Sequence, residues 1–96
     1  MNKLIHKKYK ANKDFIFQAL SNQITIFDGD KSVLYTLNET ASYIFRKIKK
    51  GDTPEDVTNT IVKRYGITYQ KAEKDIRILV SDLISKKIIV HEKLGT

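Results

Sequence analysis

The sequence of 96 residues contains no cysteine and one proline. Without cysteine the chain can form neither a disulfide nor a thiolate metal site, and it has no cysteine nucleophile. No apolar run approaches the roughly 18 residues that a membrane-spanning helix requires, and the N-terminus lacks the apolar segment of a secretion signal. We therefore expect a cytoplasmic protein that does not enter a membrane, in keeping with a reducing compartment.

Residues with catalytic chemistry are not arranged as an active site. His6 and His91 lie near opposite ends of the sequence, and neither has a carboxylate at ligand spacing. The sequence has no glycine-rich phosphate loop, no His-Glu-x-x-His motif and no serine with the partners of a triad. The adjacent carboxylates of Glu55 and Asp56 are explained by the start of a helix. We expect no enzyme, with no catalytic residue, no metal and no cofactor.

Positive charge is concentrated at the N-terminus, although the net charge of the whole chain is +7. Residues 1–13 contain no acid, and we interpret them as a basic arm in front of one folded domain at 14–96. The other 83 residues carry 13 basic and 11 acidic side chains, so the folded body is nearly neutral. A basic arm can attract nucleic acid, an anionic membrane or an acidic peptide. The lysines of the arm are Lys3, Lys7, Lys8, Lys10 and Lys13.

The first half of the sequence has the alternation of apolar residues that is typical of strands. Ser21-Asn22 has turn chemistry, and Asp28-Gly29-Asp30-Lys31 predicts a hairpin because Asp-Gly readily adopts positive φ values. Residues 1–13 are predicted to be irregular. Ile88-Ile89-Val90, near the other end, either returns to the sheet or packs on the helices. The three predicted strands are 15–20, 23–27 and 32–37.

The segment Leu37-Asn38-Glu39-Thr40-Ala41 marks a change from strand spacing to helix spacing. The Asn38 side chain can accept a hydrogen bond from a free N–H at a helix start, and Glu39 complements the positive end of the helix dipole. The first helix is predicted at 39–49, and Gly51 permits a left-handed cap at its end. Its apolar stripe consists of Ala41, Ile44, Phe45 and Ile48.

Two further helices follow. Thr53 and Asp56 form the pattern of a capping box around Pro54, and Gly66 ends this second helix. The third helix is predicted at 69–86, with Thr68 as its cap. The apolar stripe of the second helix is Val57, Ile61, Val62 and Tyr65, and that of the third is Ala72, Ile76, Leu79, Val80 and Leu83.

Ile78 does not belong to the core stripe of the third helix. It lies among charged residues on the face that is turned away from that stripe. A single exposed isoleucine is common in folded proteins. The alternative interpretation is that Ile78 forms the floor of a shallow groove that accepts an apolar side chain.

The order of these elements resembles the PqqD family, whose name also covers the leader-peptide recognition elements of ribosomal peptide pathways. The similarity spans about 15–90, and the junction between sheet and helix is its most specific part. The residues that carry it are Tyr35-Thr36-Leu37-Asn38-Glu39-Thr40-Ala41, Ile44, Phe45, Gly51, Thr53-Pro54-Glu55, Asp82-Leu83 and Ile88-Ile89.

The resemblance implies an α+β, winged helix-turn-helix-like fold with a three-stranded antiparallel sheet followed by three helices. It also implies a non-catalytic peptide chaperone. Such a protein binds the leader of a precursor peptide as an added strand, between the third strand and the third helix. It then presents the peptide to a modifying enzyme such as a radical SAM enzyme, a leader peptidase or a cyclase.

Mapped onto this sequence, the resemblance implies a binding site made of one strand and one helix. Which face of the helix lines the cleft stays open, since the edge of the core stripe near Ala72 and Leu79 is an alternative to the Ile78 side. The strand residues are Lys31, Ser32, Val33, Leu34, Tyr35 and Thr36, and the helix residues are Lys71, Lys74, Asp75, Ile78 and Asp82.

Two other functional hypotheses compete with peptide recognition. The second helix, the Gly66-Ile67-Thr68 turn and the third helix resemble a helix-turn-helix, which could bind nucleic acid with help from the basic arm. Glu73 and Asp75 argue against it because they repel phosphate. The other reading is a structural subunit of a larger complex. An open strand edge would also allow two copies of the chain to pair as a homodimer.

Overall fold

The computed structural model describes residues 6–92, which form a three-stranded sheet, a separate two-stranded sheet and three helices. The predicted α+β, winged helix-turn-helix-like architecture is confirmed, because the antiparallel sheet β2-β3-β4 is followed by three consecutive helices. In chain order the elements are β1 Tyr9–Ala11, β2 Phe15–Leu20, β3 Gln23–Asp28, β4 Val33–Leu37, α1 Glu39–Lys50, α2 Pro54–Tyr65, α3 Tyr69–Ser85 and β5 Ile89–His91.

The three-stranded sheet has one face on the core and one face in solvent. Ile24 and Ile26 of the central strand β3 point inward and are buried. On the outer face Ile16, Phe27 and Leu34 lie directly opposite one another across the three strands. All three are exposed. The alternation follows from the two-residue period of a strand, which sends neighbouring side chains to opposite faces.

The hairpin between β3 and β4 lies where it was predicted, but its geometry differs from the expectation. Asp28 is opposite Val33, so the loop between them has four residues. The positive φ value occurs at Ser32, at 54°, and not at Gly29. The Asp28 carboxylate accepts hydrogen bonds from the N–H groups of Asp30 and Lys31, at 3.1 and 3.3 Å. The loop is therefore held by the aspartate side chain rather than by a left-handed Asp-Gly turn.

The helix ends confirm the capping predictions. The Asn38 side chain accepts a hydrogen bond from the N–H of Ala41 at 2.8 Å, and Gly51 ends α1 with a φ of 118°. Thr53 and Asp56 form the predicted reciprocal capping box at the start of α2. These caps hold α1 directly behind β4, with Asn38 between them as the connecting residue.

The helical stripes form the core together with the inner face of the sheet. Ala72, Ile76, Val80 and Leu83 of α3 are buried, as predicted, and Leu79 is half-buried at the edge of the stripe. The prediction for Tyr65 is wrong, because this residue ends α2 and half of its surface is exposed. No helix among residues 6–92 has the length and apolar character needed to cross a bilayer.

A second, two-stranded sheet joins the two ends of the described chain. β1 pairs with β5 in an antiparallel register that places Tyr9 opposite His91. Tyr9 is only 1% exposed and belongs to the core. The prediction that residues 1–13 are irregular is therefore wrong for Tyr9–Ala11, because β5 supplies a hydrogen-bonding partner distant in sequence. The part of the predicted arm at residues 1–5, which includes Lys3, lies outside the described residues.

Candidate peptide-binding site

One edge of the three-stranded sheet is formed by β4, which pairs only with β3 among the described residues. The two-residue loop at Ser21-Asn22 makes Leu20 and Gln23 a hydrogen-bonded pair. Along antiparallel strands such pairs alternate with pairs whose backbone groups point the other way, so every second residue of β3, counted from Gln23, bonds to β2. On the other side of β3, the residues whose backbone groups point toward β4 are therefore Ile24, Ile26 and Asp28, and the N–H of Ile24 bonds to the Ser42 hydroxyl. Their partners on β4 are Leu37, Tyr35 and Val33.

The remaining residues of β4 direct their backbone groups away from the sheet. Leu34 and Thr36 alternate with the paired residues, so their N–H and C=O groups point toward solvent. A strand edge of this kind offers backbone hydrogen bonds to another extended chain, largely independent of its sequence. The edge lies at the position where the resemblance implied that a peptide would bind.

The C-terminal end of α3 approaches this edge, and the space between them is the candidate cleft. The ammonium group of Lys86, which follows the last turn of α3, is 5.0 Å from the centre of the Tyr35 ring. Asp75, Leu79 and Asp82 recur at spacings of four and three residues and share this side of the helix with Lys86. The side of α3 in line with Lys86 is therefore partly charged, with Leu79 at its border with the core.

An apolar pocket of about 310 Å³ lies at the N-terminal end of α3, between the three helices. Thr40 of α1 lies at its margin, close to the end of β4 along the chain. Asp75 contributes the charged group of the lining. The pocket is lined by Thr40, Ile44, Ile61, Tyr65, Ile67, Ala72, Asp75 and Ile76. It has the size and character to accept one apolar side chain of a peptide.

Two ion pairs along α3 and its C-cap involve Lys71, Asp75 and Asp82, which were predicted to contact a peptide. The Lys71 ammonium lies 3.0 Å from the Asp75 carboxylate, and the Lys86 ammonium lies 2.7 Å from the Asp82 carboxylate. Each joins residues four apart on an exposed surface, where such a pair is worth about 0.3–0.5 kcal/mol. An incoming charged residue could replace either partner at little cost.

The structure brings together some of the predicted site residues and separates others. Val33, Leu34, Tyr35 and Thr36 lie on β4, whereas Lys31 and Ser32 belong to the loop that precedes it. On α3, Lys71, Asp75 and Asp82 lie along the side nearest the cleft. Ile78 is 56% exposed at the outer margin of that side, and Lys74 lies one step further around the helix.

Sequence reasoning missed the part of the cleft contributed by α1 and α2. Tyr65 and Ile67 flank Gly66, which the sequence identified as a helix end and as the start of a turn but not as part of a pocket. Thr40 was treated as part of the junction motif. The sequence gives only a weak signal for this pocket, because the exposure of a tyrosine at the end of a helical stripe depends on where the chain turns after it. Lys86 was also missed, since its contact with Tyr35 joins distant parts of the chain.

Comparison with protein families identifies a match to the family described as Coenzyme PQQ synthesis protein D (PqqD) over residues 23–89. This match covers most of the chain and includes the sheet edge, the junction and all three helices. The chain belongs to the PqqD family. No curated protein matches it significantly.

Two solved structures share the fold of this PqqD-family chain. The first is "Lasso peptide synthetase B1 complexed with the leader peptide", with a TM-score of 0.79 and 23% identity over 86% of this chain and 98% of that chain. The second is "TbiB1 in Complex with the TbiA(beta) Leader Peptide", with a TM-score of 0.77 and 17% identity over 91% of this chain and 96% of that chain. At these identities the likeness establishes the fold. The nucleic-acid alternative gains no support from either structure.

Proposed function

We propose that this PqqD-family protein is a non-catalytic binding protein for the leader of a ribosomally made precursor peptide. The leader would add to β4 as a further antiparallel or parallel strand and lie against α3. The observation that carries the proposal is the free edge at Leu34 and Thr36, whose backbone groups have no partner among residues 6–92. The two structural neighbours, both complexes with a leader peptide, support the same role.

Backbone pairing at β4 would hold the leader, and the pocket would select it. Each backbone hydrogen bond contributes about 1 kcal/mol net, and ordering a flexible peptide costs several kcal/mol. The free groups of Leu34 and Thr36 therefore cannot supply high affinity alone. Burial of an apolar leader side chain in the pocket near Ile67 and Ala72 would contribute about 1.5–3 kcal/mol. We expect leaders with an apolar residue at this position to bind best.

The charged residues along α3 would tune this recognition. Lys71 could meet an acidic leader residue after its bond with Asp75 opens, and Asp82 could accept a basic one. In this proposal Lys31 and Ser32 border the start of the added strand, Ile78 makes contact at the outer margin of α3, and Lys74 is the most distant member of the site. We expect binding in the cytoplasm, where the precursor is made, followed by presentation to a modifying enzyme such as a radical SAM enzyme, a leader peptidase or a cyclase.

A proline in the edge strand tests the proposal directly. The N–H of Thr36 points away from β3, so Thr36→Pro removes no hydrogen bond from the sheet but deprives a leader of one donor. Ala19 of β2 occupies the equivalent outward position on the opposite edge, and Ala19→Pro is the matched control. Binding is measured by fluorescence polarisation with labelled leader peptides, made from the short reading frames beside the gene.

We expect Thr36→Pro to weaken leader binding at least tenfold while Ala19→Pro leaves it unchanged. Circular dichroism and urea unfolding of both variants would establish that each remains folded. Equal affinity of the parent chain and a folded Thr36→Pro variant would show that the leader does not pair with β4. Equal loss in both variants would indicate a general effect of proline on the sheet.

A further inference from the structure

The opposite edge of the same sheet has a free backbone as well. β2 pairs with β3 on one side only, within the described residues. Because Leu20 and Gln23 form the hydrogen-bonded pair that closes the loop, Phe17 and Ala19 direct their N–H and C=O groups away from β3. Their side chains point to the inner face of the sheet, toward α1.

A groove of about 300 Å³ runs between this edge and α1. Its floor is apolar: the rings of Phe17 and Phe45 stack with their centres 5.3 Å apart, and Ile24 lies beside them. Its wall is basic, because Arg46 and Lys49 project from α1 on this side. The Lys49 ammonium is 5.5 Å from the centre of the Phe17 ring and thus reaches from the helix to the strand.

The charge around this groove has one sign. The lining contains two cations and no acid among the described residues. Lys50 adds a third cation in the last turn of α1. α1 itself carries one acid, Glu39 in its first turn, whose carboxylate accepts a hydrogen bond from the Asn22 side chain at 3.2 Å, and Asp52 follows the end of the helix. Among residues 6–92 no acid lines the groove or forms an ion pair with Arg46 or Lys49, and Glu39 meets Arg46 only at the border of a neighbouring pocket.

We propose that the groove between β2 and α1 is a second strand-binding site, which takes an acidic, extended segment of a partner protein. The free groups of Phe17 and Ala19 would pair with the backbone of that segment. An inward apolar side chain would cover the Phe17–Phe45 floor, and inward carboxylates on either side of it would meet Arg46 and Lys49. The site is independent of β4, so one sheet could hold two different strands at its two edges.

The alternation of a strand defines a suitable probe. A peptide of sequence acetyl-Thr-Glu-Thr-Phe-Thr-Glu-Thr-amide places glutamate, phenylalanine and glutamate on one face and threonines on the other. The matched control replaces both glutamates by lysine. Binding is followed by amide chemical shifts of the ¹⁵N-labelled full-length chain. We expect the acidic peptide to shift the signals of 17–19 and 46–49 and to leave those of Leu34 and Thr36 unchanged.

Charge reversal tests the basic wall of the groove, and a proline that removes one backbone N–H tests the pairing with β2. We expect the double change Arg46→Glu with Lys49→Glu to weaken binding of the acidic peptide at least tenfold. Ala19→Pro should have a similar effect, whereas Lys63→Glu on α2 and Thr36→Pro on β4 should have none. If Ala19→Pro fails to fold, the charge-reversed variant and the lysine peptide still test the site.

Three results would overturn the proposal. The first is equal binding of the acidic and lysine peptides, and the second is a set of shifts confined to β4 and α3. The third is a concentration-dependent dimer, seen by sedimentation and abolished by Ala19→Pro, which would assign the edge to a second copy of the chain. Unchanged leader binding in Thr36→Pro would overturn only the proposal for the β4 edge, so the two proposals can fail separately.

Discussion

The hydroxyl of Ser42 accepts a hydrogen bond from the backbone N–H of Ile24 at 2.9 Å. The same hydroxyl lies 3.2 Å from the carbonyl oxygen of Leu37, to which it donates. Ile24 and Leu37 are the last opposed residues of β3 and β4, so a side chain from α1 is inserted where the ladder of the sheet ends. Ser42 is completely buried. It fixes the position of α1 relative to the edge strand on which the proposed site depends.

Replacement of Ser42 by alanine should destabilise the fold. The change leaves the buried N–H of Ile24 without its acceptor, and an unsatisfied buried group costs about 1–3 kcal/mol. Urea unfolding followed by circular dichroism measures the loss in free energy. Ser81→Ala, at an exposed position of α3, is the control and should change stability by less than about 0.5 kcal/mol. Equal effects of the two substitutions would contradict the assigned role of Ser42.

Local signals in the sequence were sufficient to predict the main helices and strands of the fold. Asn38, Thr53 and Thr68 each cap a helix at the predicted residue, because capping depends on a side chain and the N–H three positions further on. The strand at Phe15–Leu20 was predicted with its exact bounds. The apolar stripe of α3 was predicted correctly for the same reason, since helical periodicity depends on residues that are close together in the sequence.

The β1–β5 sheet could not be predicted in this way. Tyr9 and His91 lie opposite each other although more than eighty positions separate them in the sequence. A three-residue strand carries too short a pattern to be recognised, and the surrounding lysines suggested a solvated arm. The N–H of Asn12, just after β1, donates a hydrogen bond to the carbonyl of Ile88, just before β5, at 2.9 Å. Such pairing depends on tertiary proximity.

The candidate site was predictable in its strand and only partly in its helices. The family resemblance implied the strand edge at 31–36, and the register of the sheet selects Leu34 and Thr36 within it. The pocket beside Tyr65 and Ile67 arises where α2 and α3 diverge at Gly66, and this divergence is a property of the packed helices. The face of α3 was left open by the sequence for the same reason. The contact of Lys86 with Tyr35 indicates which side of the helix end approaches β4.

Shortening the Tyr65 side chain should weaken leader binding with little loss of stability. The ring lines the apolar pocket but half of its surface is exposed, so it contributes less to the core than to the pocket wall. We expect Tyr65→Ala to reduce affinity about five- to tenfold, which corresponds to roughly 1 kcal/mol. Tyr65→Phe keeps the ring and should bind as the parent does. Fluorescence polarisation distinguishes them, and an unchanged dissociation constant for Tyr65→Ala would exclude the pocket from the site.

A charge at Ile78 tests how far the leader extends over α3. Ile78 is 56% exposed, so Ile78→Glu should leave the free energy of unfolding nearly unchanged. If the leader covers the outer margin of the helix, the variant should bind it at least fivefold more weakly. Ile16→Glu is the matched control, because Ile16 is 65% exposed on the outer face of the sheet. Unchanged binding in Ile78→Glu would restrict the leader to the inner side, near Ala72 and Leu79.

The stability of the fold should decline at alkaline pH because of Tyr9. Burial raises the pKa of the Tyr9 phenol above its ordinary value of 10.0, since the charged form is poorly solvated in the core. Above about pH 10 the unfolded chain loses this proton while the folded chain retains it, so rising pH favours unfolding. The contribution of the protonated Tyr9 to the free energy of unfolding is therefore fully present below about pH 10 and is lost as the pH rises above that value.

Tyr9→Phe removes this titration while keeping most of the buried ring. We expect urea unfolding between pH 8 and pH 11 to show a smaller decline in the variant than in the parent chain, with the difference developing above about pH 10. Values at pH 7–8 provide the reference, because the phenol is protonated there in both states. Parallel declines in the two proteins would mean that Tyr9 becomes ionised as readily in the folded state as in the unfolded one.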